Sequence, residues 1–228
     1  MNSNLKERIS AVKKRIDQAC AKVGRDPSLV RLVAVSKKKP AEMIRAAYEL
    51  GLRDFGENYA QDLQAKAEAL NDLRDIRWHF IGKLQRNKAR SVAQIATLIH
   101  SVHSQDLVEK LDHICAETGP LSILVQLNIS EEDSKSGIAP DALPSLMEKI
   151  SVMPNLTCVG LMTIPPPVDD SEQVRPIFRQ MRIIRDKLAA KHPQLTQLSM
   201  GMTDDLEVAI QEGATLVRVG TAIFGPRE

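Results

Sequence analysis

A short buried strand is predicted by the stretch RLVAVSKKKP, residues 31–40, in which an apolar run ends at three consecutive lysines. Runs of this length that lack the three- and four-residue spacing of a helix are typical of strands covered on both faces. A helical pattern begins near Pro40. The segment therefore predicts the first strand–helix unit of an α/β fold.

The same unit recurs along the rest of the chain, where short apolar runs alternate with longer helical patterns. Strict alternation of this kind gives parallel strands joined by crossover helices, and eight units most naturally close into a (β/α)8 TIM barrel. An open, doubly wound sheet is the alternative. The predicted strands are Arg31–Ser36, Asp54–Gly56, Trp78–Ile81, Thr97–Val102, Ser122–Asn128, Thr157–Met162, Gln197–Ser199 and Leu216–Val219.

A further amphipathic helix is predicted before the first strand. Leu5, Ile9, Val12, Ile16 and Cys20 recur at intervals of three or four residues, which gives a helix with one apolar face. No Gly/Ser-rich linker, break in composition or low-complexity segment divides the chain. We therefore expect a single barrel domain over residues 1–228, with an extra helix at its N-terminus.

Composition argues against several classes of protein. The 228 residues are 43% hydrophobic, enough for one sizeable core, and the formal net charge of +2 provides no strong field for nucleic acid. The three cysteines lack CxxC spacing, which argues against a disulfide framework or a structural zinc site. We find neither an apolar signal segment nor a run of about 18 apolar residues. We expect a soluble, cytoplasmic protein that binds neither nucleic acid nor membrane.

Lys37 is the strongest candidate for a reactive residue. Because side chains alternate along a strand, Val33, Val35 and Lys37 share one face, and the amine would point into the barrel mouth if that face is interior. The charges of Lys38 and Lys39 would favour a neutral, nucleophilic amine that can form a Schiff base. The alternative is a solvated basic turn before the next helix.

Arg218 interrupts the otherwise apolar strand Leu216–Val219. Alternation puts Val217 and Val219 on the opposite face, so one face of this strand must accommodate a permanent charge. Burying an unpaired guanidinium costs several kcal/mol, so an inward Arg218 needs a partner. That partner is either a carboxylate in a structural ion pair or an acceptor atom of a ligand.

Two segments late in the chain are suited to hold an anion. Ser199–Asp205 precedes a predicted helix, and Gly220-Thr221 follows the last strand, so both offer backbone N–H groups and hydroxyls. Loops after the last two strands of such barrels often bind phosphate. The alternative for Thr203 is the N-cap of the following helix. Together with Lys37 and Arg218, these segments indicate a bound pyridoxal 5′-phosphate.

The segment Trp78–Lys88 combines aromatic and basic residues, a composition that also occurs in nucleic-acid-binding segments. His79 lies between two large aromatic residues of a predicted buried strand, which favours a packed, hydrogen-bonded histidine over a metal ligand. His100 and His103 would point to opposite faces of their strand. No metal site is predicted.

Several segments, in the right order, resemble the family of pyridoxal phosphate homeostasis proteins, also known as proline synthase co-transcribed homologues. The likeness extends over nearly the whole chain and implies a single barrel similar to the N-terminal domain of alanine racemase. Its most specific pieces are Leu32–Pro40, Phe55–Tyr59, Trp78–Gly82 with Leu84-Gln85 and Asn87-Lys88, Ser134–Gly137, Gly160–Met162, Ser199–Asp205 and Arg218–Gly225.

The resemblance also implies a site. Lys37 matches the family's cofactor lysine, and Arg218 matches the arginine that faces the pyridine nitrogen. Position 203 is Thr where the family most often has Ser, a change that keeps the hydroxyl. The other positions that match cofactor-binding or site-lining residues are Asn58, Ser199, Gly201, Thr203, Gly220 and Thr221.

The implied function is the intracellular homeostasis of pyridoxal phosphate (vitamin B6) and of linked amino-acid and keto-acid pools. Alanine racemase takes a second acid/base from a separate C-terminal domain of its partner subunit, whereas this chain ends three residues after Gly225. Two-base racemisation is therefore not expected, and no catalytic residue is assigned. We expect a monomer that holds the cofactor as an internal aldimine on Lys37, with pyridoxal-phosphate-dependent enzymes as its acceptors.

Three alternatives remain open. A racemase-like enzyme would use Lys37 as its only base. A barrel aldolase would form its Schiff base with the substrate and hold a sugar phosphate in the two anion segments. An interaction module would use Trp78–Lys88 to bind nucleic acid, with an affinity that falls steeply with salt.

Overall fold

The computed structural model describes residues 2–130 and 136–226. Ser134 and Lys135, from the family-like segment Ser134–Gly137, lie outside the described residues. The strands are β1 (Arg31–Val35), β2 (Asp54–Glu57), β3 (Arg77–Phe80), β4 (Leu98–Val102), β5 (Leu121–Gln126), β6 (Leu156–Met162), β7 (Gln197–Ser199) and β8 (Leu216–Val219). The α-helices are α1 (Asn2–Ala21), α2 (Ala41–Glu49), α3 (Ala60–Ala69), α4 (Ala89–Ala93), α5 (Gln105–Thr118), α6 (Leu143–Ser151), α7 (Arg175–Ala189), α8 (Leu206–Gln211) and α9 (Thr221–Phe224).

The strands are parallel and close into a barrel in the order β1 to β8, with β8 hydrogen-bonded to β1. The predicted (β/α)8 barrel is confirmed, and the open-sheet alternative is wrong because an open sheet would leave two strand edges unpaired. Every predicted strand is present, with bounds that differ by at most two residues. The first strand, for example, ends at Val35 and not at Ser36, and the second continues to Glu57.

The predicted N-terminal helix is also confirmed. The apolar stripe of α1 is buried, from Leu5 to Cys20, and packs against α8 and α9 on the outside of the barrel. Arg15 adds a polar link, since its Nε donates to Oε1 of Glu207 on α8 at 2.6 Å. The helix therefore covers the outside of the barrel beside the last two strand–helix units.

The inside of the barrel is partly apolar and partly polar. Val33, Leu98, Leu124, Met162 and Leu216 form a small apolar cluster between the strands, separate from the larger core between strands and helices. Polar side chains share the same interior and are equally buried. They are Asp54, His79, His100, Ser199 and Arg218.

Two further observations concern the thiols and the helices. Cys20, Cys115 and Cys158 are buried and unbridged. Within residues 2–130 and 136–226, no helix combines the length and the apolarity needed to cross a bilayer.

Candidate functional site

Lys37 lies in a tight turn two residues beyond the end of β1. Val33 and Val35 both approach the inner side of Gly56 on β2, so the alternation expected from the sequence holds to the end of the strand. Lys38 adopts a left-handed conformation with φ of 60°, which ends the strand abruptly. Lys37 itself is half-buried at the C-terminal rim of the barrel.

The residue before Lys37 is held by a buried ion pair. Nζ of Lys66 on α3 donates to the carbonyl oxygen of Ser36 at 2.8 Å and to Oε1 of Glu57 at 2.6 Å. The Ser36 hydroxyl donates to the same carboxylate oxygen at 2.6 Å. Backbone and side chain of Ser36 are both restrained, and the start of the Lys37 turn is restrained with them.

Glu57 is fully buried. Burial raises the pKa of Glu57, while the hydrogen bonds from Lys66 and Ser36 oppose that rise. Its second carboxylate oxygen, Oε2, has no hydrogen-bond partner among the described residues. The lysine is therefore the principal compensation for a costly buried acid.

The three consecutive lysines have different surroundings. Lys38 is exposed, whereas Nζ of Lys39 donates to the carbonyl oxygen of Pro226 at 2.7 Å. Lys37 is half-buried between them. This arrangement differs from the uniformly solvated basic turn that was the alternative interpretation.

Arg218 points into the barrel and is 3% exposed. Its Nη1 donates to Oγ of Ser199 at 2.7 Å, and its Nη2 donates to the carbonyl oxygen of Thr163 at 3.0 Å. Both acceptors are neutral. In the described part of the chain no carboxylate lies within ion-pair distance of Arg218, so the ion-pair alternative is not supported there.

The guanidinium of Arg218 keeps its charge in this environment. Burial lowers the pKa of Arg218 to about 10, and the charge of the nearby Asp205 opposes that effect. A guanidinium has five N–H groups. Two of them have acceptors among the described residues, which leaves donors for a further acceptor.

The loop after β7 packs tightly against α8. Gly201 accepts a hydrogen bond from the backbone N–H of Arg218 at 2.9 Å. Its φ is +91°, and a Cβ there would lie 2.5 Å from Cβ of Ala209 on α8. Only glycine fits this position without moving the helix away from the loop.

Thr203 is not the N-cap of the following helix, contrary to the alternative interpretation. The helix α8 begins at Leu206, and Asp205 occupies the N-cap position. The buried Asp205 carboxylate instead accepts from the backbone N–H of Met202 at 2.5 Å, which turns the loop back on itself before the helix starts. The Thr203 carbonyl oxygen accepts from Nη2 of Arg15 at 2.7 Å.

Gly220 and Thr221 begin the short helix α9 directly after β8, as the sequence predicted. Gly220 lies against β1, because a Cβ at this position would be 3.2 Å from the carbonyl oxygen of Val35. The Thr221 side chain is exposed. The start of α9 is thereby placed beside the strand that leads to Lys37.

Asn58 follows β2 directly and lines a cavity of about 370 Å³ together with Tyr59, Phe80 and Lys83. Val35 pairs with Gly56, so Lys37 and Asn58 each lie two residues beyond paired positions on neighbouring strands. Asn58 therefore follows the strand next to the one that leads to Lys37.

The barrel brings the predicted site residues to one end, although not all into mutual contact. Strands β7, β8, β1 and β2 are neighbours in the sheet, and the predicted residues lie on them or in the loops that follow them. Ser199 and Arg218 touch directly. The others are distributed along this rim, namely Lys37, Asn58, Gly201, Thr203, Gly220 and Thr221.

Sequence reasoning did not find Asp54, His100, Glu57 or Lys66 as neighbours of the site. The prediction for His79 is confirmed, because it is buried and hydrogen-bonded on both ring nitrogens. For Asp54 and His100, the available signal was a polar residue within a short buried strand. No group of three or more metal-ligating side chains is found among the described residues.

Comparison with known proteins identifies the family. The family described as "Alanine racemase, N-terminal domain" matches residues 8–228. The pyridoxal phosphate homeostasis protein of Aquifex aeolicus is 42% identical over 227 residues, covering 99% of both chains. The protein of the same name from Pseudomonas aeruginosa is 45% identical over 227 residues, covering 99% of this chain and 97% of its own.

A solved structure agrees with these relatives. PipY of Synechococcus elongatus, determined with pyridoxal phosphate bound, superimposes with a TM-score of 0.86 at 38% identity, over 97% of this chain and 100% of its own. The barrel fold and the extended sequence identity point to the same conclusion. The chain belongs to the family of pyridoxal phosphate homeostasis proteins.

Proposed function

We propose that this protein binds pyridoxal 5′-phosphate covalently through Lys37 and holds it as an exchangeable store. Lys37 would form a carbon–nitrogen double bond with the aldehyde carbon of the cofactor, with loss of one water molecule. Its place at the rim, half-buried and beside β8, is compatible with that role. The bound group supplies a reversible imine linkage that an incoming amine can exchange.

Arg218 is the observation that carries the proposal. A permanent charge is buried on neutral acceptors inside the barrel, with N–H donors left over among the described contacts. Such a group is costly unless a ligand offers it an acceptor. The ring nitrogen of pyridoxal phosphate is an acceptor of the required kind.

The loops after β7 and β8 suit the phosphate. Gly201 and Gly220 keep these loops close to α8 and to β1, so that backbone N–H groups can face an anion without side chains between them. Thr203 and Thr221 add hydroxyls in the same segments. We assign Asn58 and Ser199 to the same site, Asn58 at its edge and Ser199 beneath Arg218.

A store is a better fit to these residues than a catalyst. Arginine can only donate hydrogen bonds, so a ring nitrogen that faces Arg218 stays unprotonated and the ring withdraws electrons weakly. Strong electron withdrawal is what carbanion chemistry on this cofactor requires. An arginine partner therefore favours holding the cofactor over using it.

In the cell, we propose homeostasis of pyridoxal phosphate, with transfer to pyridoxal-phosphate-dependent enzymes as the outlet. The three buried, unbridged cysteines support a reducing compartment such as the cytoplasm. We propose that the protein acts there as a monomer.

Borohydride reduction of the protein loaded with pyridoxal phosphate, followed by peptide mass mapping, tests the proposal. Hydride reduces the carbon–nitrogen double bond, so a stable adduct is expected on Lys37. The matched control is Lys38→Ala, which removes the neighbouring exposed amine and should leave the adduct in place. Lys37→Ala should abolish the adduct.

Adduct on another lysine, or no adduct, would contradict the proposal. The racemase alternative is tested on the same protein by solvent deuterium uptake at Cα of single amino-acid enantiomers. We expect no uptake above that of the Lys37→Ala variant.

A further inference from the structure

A chain of hydrogen-bonded side chains crosses the inside of the barrel and ends on Arg218. Oδ1 of Asp54 lies 2.9 Å from Nε2 of His79, and Nδ1 of His79 lies 2.9 Å from Nε2 of His100. Nδ1 of His100 lies 2.8 Å from Oγ of Ser199, which accepts from Nη1 of Arg218 at 2.7 Å. These residues come from five different strands.

These hydrogen-bonded side chains lie in a part of the barrel that is shielded from solvent. His100 and Ser199 are 0% exposed, His79 is 1% exposed, and the two charged ends, Asp54 and Arg218, are 5% and 3% exposed. An unmade hydrogen bond in such a place costs about 1–3 kcal/mol, so each member is under pressure to keep its partner.

Asp54 determines which atom donates in each hydrogen bond of the series. Arg77 binds the Asp54 carboxylate with two hydrogen bonds, of 2.9 and 2.6 Å. Although burial opposes ionisation, the hydrogen bonds from Arg77 and His79 lower the pKa of Asp54 to about 2. An ionised carboxylate only accepts hydrogen bonds, so Nε2 of His79 must carry the proton.

The proton on Nε2 of His79 determines the positions of the other protons in the series. Burial lowers the pKa of His79 and lowers that of His100 further, with the charge of Arg218 adding to the effect on His100. Neutral His79 then accepts at Nδ1 from Nε2–H of His100, and Nδ1 of His100 accepts from the Ser199 hydroxyl. The Ser199 oxygen is left with a lone pair for Arg218.

The opposite arrangement is unfavourable at both ends. It would turn a lone pair of His79 toward the Asp54 carboxylate. It would also make the Ser199 oxygen accept from both His100 and Arg218, while its own proton had no acceptor in the chain. The arrangement with the proton on Nε2 of both histidines is therefore strongly preferred.

We infer that Asp54, His79, His100 and Ser199 are positioning residues that turn Arg218 so that its remaining N–H groups face the ring nitrogen of the cofactor. The inference rests on the proposed function and deepens it. The chain offers Arg218 an oriented neutral acceptor in place of a carboxylate, so the full donor strength of the guanidinium is available to the ligand. None of the four residues needs to touch the cofactor for this effect.

The first measurement is nitrogen-15 NMR of the histidine rings in the protein without cofactor. Both His79 and His100 should be neutral near pH 7, with the proton on Nε2. The exposed His113 ring serves as the internal reference signal. A proton on Nδ1, or an imidazolium, at either buried ring would overturn the inference.

The second measurement compares the binding of pyridoxal phosphate with that of an analogue that has carbon in place of the ring nitrogen. The unmodified protein should prefer pyridoxal phosphate, and Ser199→Ala should reduce that preference about tenfold, the factor expected for one hydrogen bond to a charged group. Ser199→Cys keeps the volume and serves if the alanine variant does not fold. The matched control is Ser122→Ala on β5. Ser122 is not part of the series of hydrogen-bonded side chains that ends on Arg218, so this variant should keep the preference.

The outcomes separate the two proposals. An unchanged preference in a folded Ser199 variant, or no preference in the unmodified protein, would overturn the inference while covalent binding at Lys37 still stood. Failure of the unmodified protein to bind either compound would overturn the proposed function, and the inference with it.

Discussion

Glu57 and Lys66 form a buried ion pair of 2.6 Å directly behind the strand end that leads to Lys37. Lys66 also holds the backbone of Ser36, so one ammonium group joins α3, β2 and the Lys37 turn. A structural ion pair thereby restrains the start of the turn that carries Lys37. Its loss would affect both the stability of the fold and the geometry of the site.

Replacing Lys66 with Met should lower the free energy of unfolding by about 3–5 kcal/mol, because Glu57 would remain buried without its cation. Urea unfolding measures the change. The control is Lys14→Met on the exposed face of α1, which should change stability by less than about 0.5 kcal/mol. The double variant Glu57→Leu/Lys66→Met should be more stable than Lys66→Met alone. A loss below about 1 kcal/mol in Lys66→Met would contradict the prediction.

Acid should destabilise the fold through the two interior histidines. Burial lowers the folded-state pKa of His79 and His100 below the ordinary value of 6.5, so the unfolded chain binds more protons in mild acid. Their contribution is complete above about pH 6.5 and is lost as the pH falls toward the folded-state values. The charges that face the pair are Asp54 on β2, Arg31 on β1, Arg77 on β3 and Arg218 on β8.

The free energy of unfolding should therefore decrease below pH 6.5 with a slope that approaches about 2.7 kcal/mol per pH unit while both rings stay neutral. Urea titrations between about pH 8 and pH 5 measure it. Asp54, with a pKa of about 2, adds its own loss only in stronger acid. A flat curve over this range would refute the account.

Gly82→Ala should destabilise the protein by about 3 kcal/mol, since a Cβ there would lie 2.0 Å from the carbonyl oxygen of Asn58. Relief requires the ends of β2 and β3 to move apart, which should also weaken the retention of pyridoxal phosphate. The control is Gly24→Ala, where φ is +64° but nothing lies within 4 Å. That variant should lose about 1 kcal/mol of stability and keep its binding. Equal effects in thermal unfolding would argue against the close contact.

Arg15→Lys should weaken the binding of pyridoxal phosphate several-fold. Arginine forks onto Glu207 at 2.6 and 2.8 Å and reaches the carbonyl oxygen of Thr203, and a lysine cannot make all three bonds. The loop after β7 would lose its support from α1. The stability loss should be small, about 1 kcal/mol, because the pair is one-third exposed.

The control for Arg15 is Arg90→Lys, which alters an exposed pair with Glu117 far from the loop. Its cofactor affinity, measured by spectroscopic titration, should match that of the unmodified protein. If Arg15→Lys binds as tightly as Arg90→Lys, α1 has no part in shaping the loop.

The barrel could be predicted from the sequence because its signals are local. Most strands contain a short apolar run, and α1 has a clear apolar stripe from Leu5 to Cys20, so local patterns locate them. Lys37 and Arg218 could be singled out for the same reason, as charges at the end of, or within, such a run. Alternation along β8 puts Arg218 on the face opposite Val217 and Val219, whereas the choice of the inward face is known only from the structure.

The contacts of those charges could not be predicted. Ser199 and His100 are separated by 99 positions along the chain, and no local pattern specifies that their side chains meet. His79 was expected to be hydrogen-bonded, but its partners come from β2 and β4 and depend on the barrel register. Thr203 was a plausible cap by residue type, yet the Asp205–Met202 contact turns the loop before the helix begins.

The polar chain through the barrel also limits how this sequence can vary. Five residues from five separate β-strands form this set, namely Asp54, His79, His100, Ser199 and Arg218. A substitution at one of them therefore leaves a residue from a distant part of the sequence without its hydrogen-bond partner. Gradual drift, one position at a time, would pass through unstable intermediates. We expect homologues to inherit the set as a block, or to have exchanged it as a block for apolar residues.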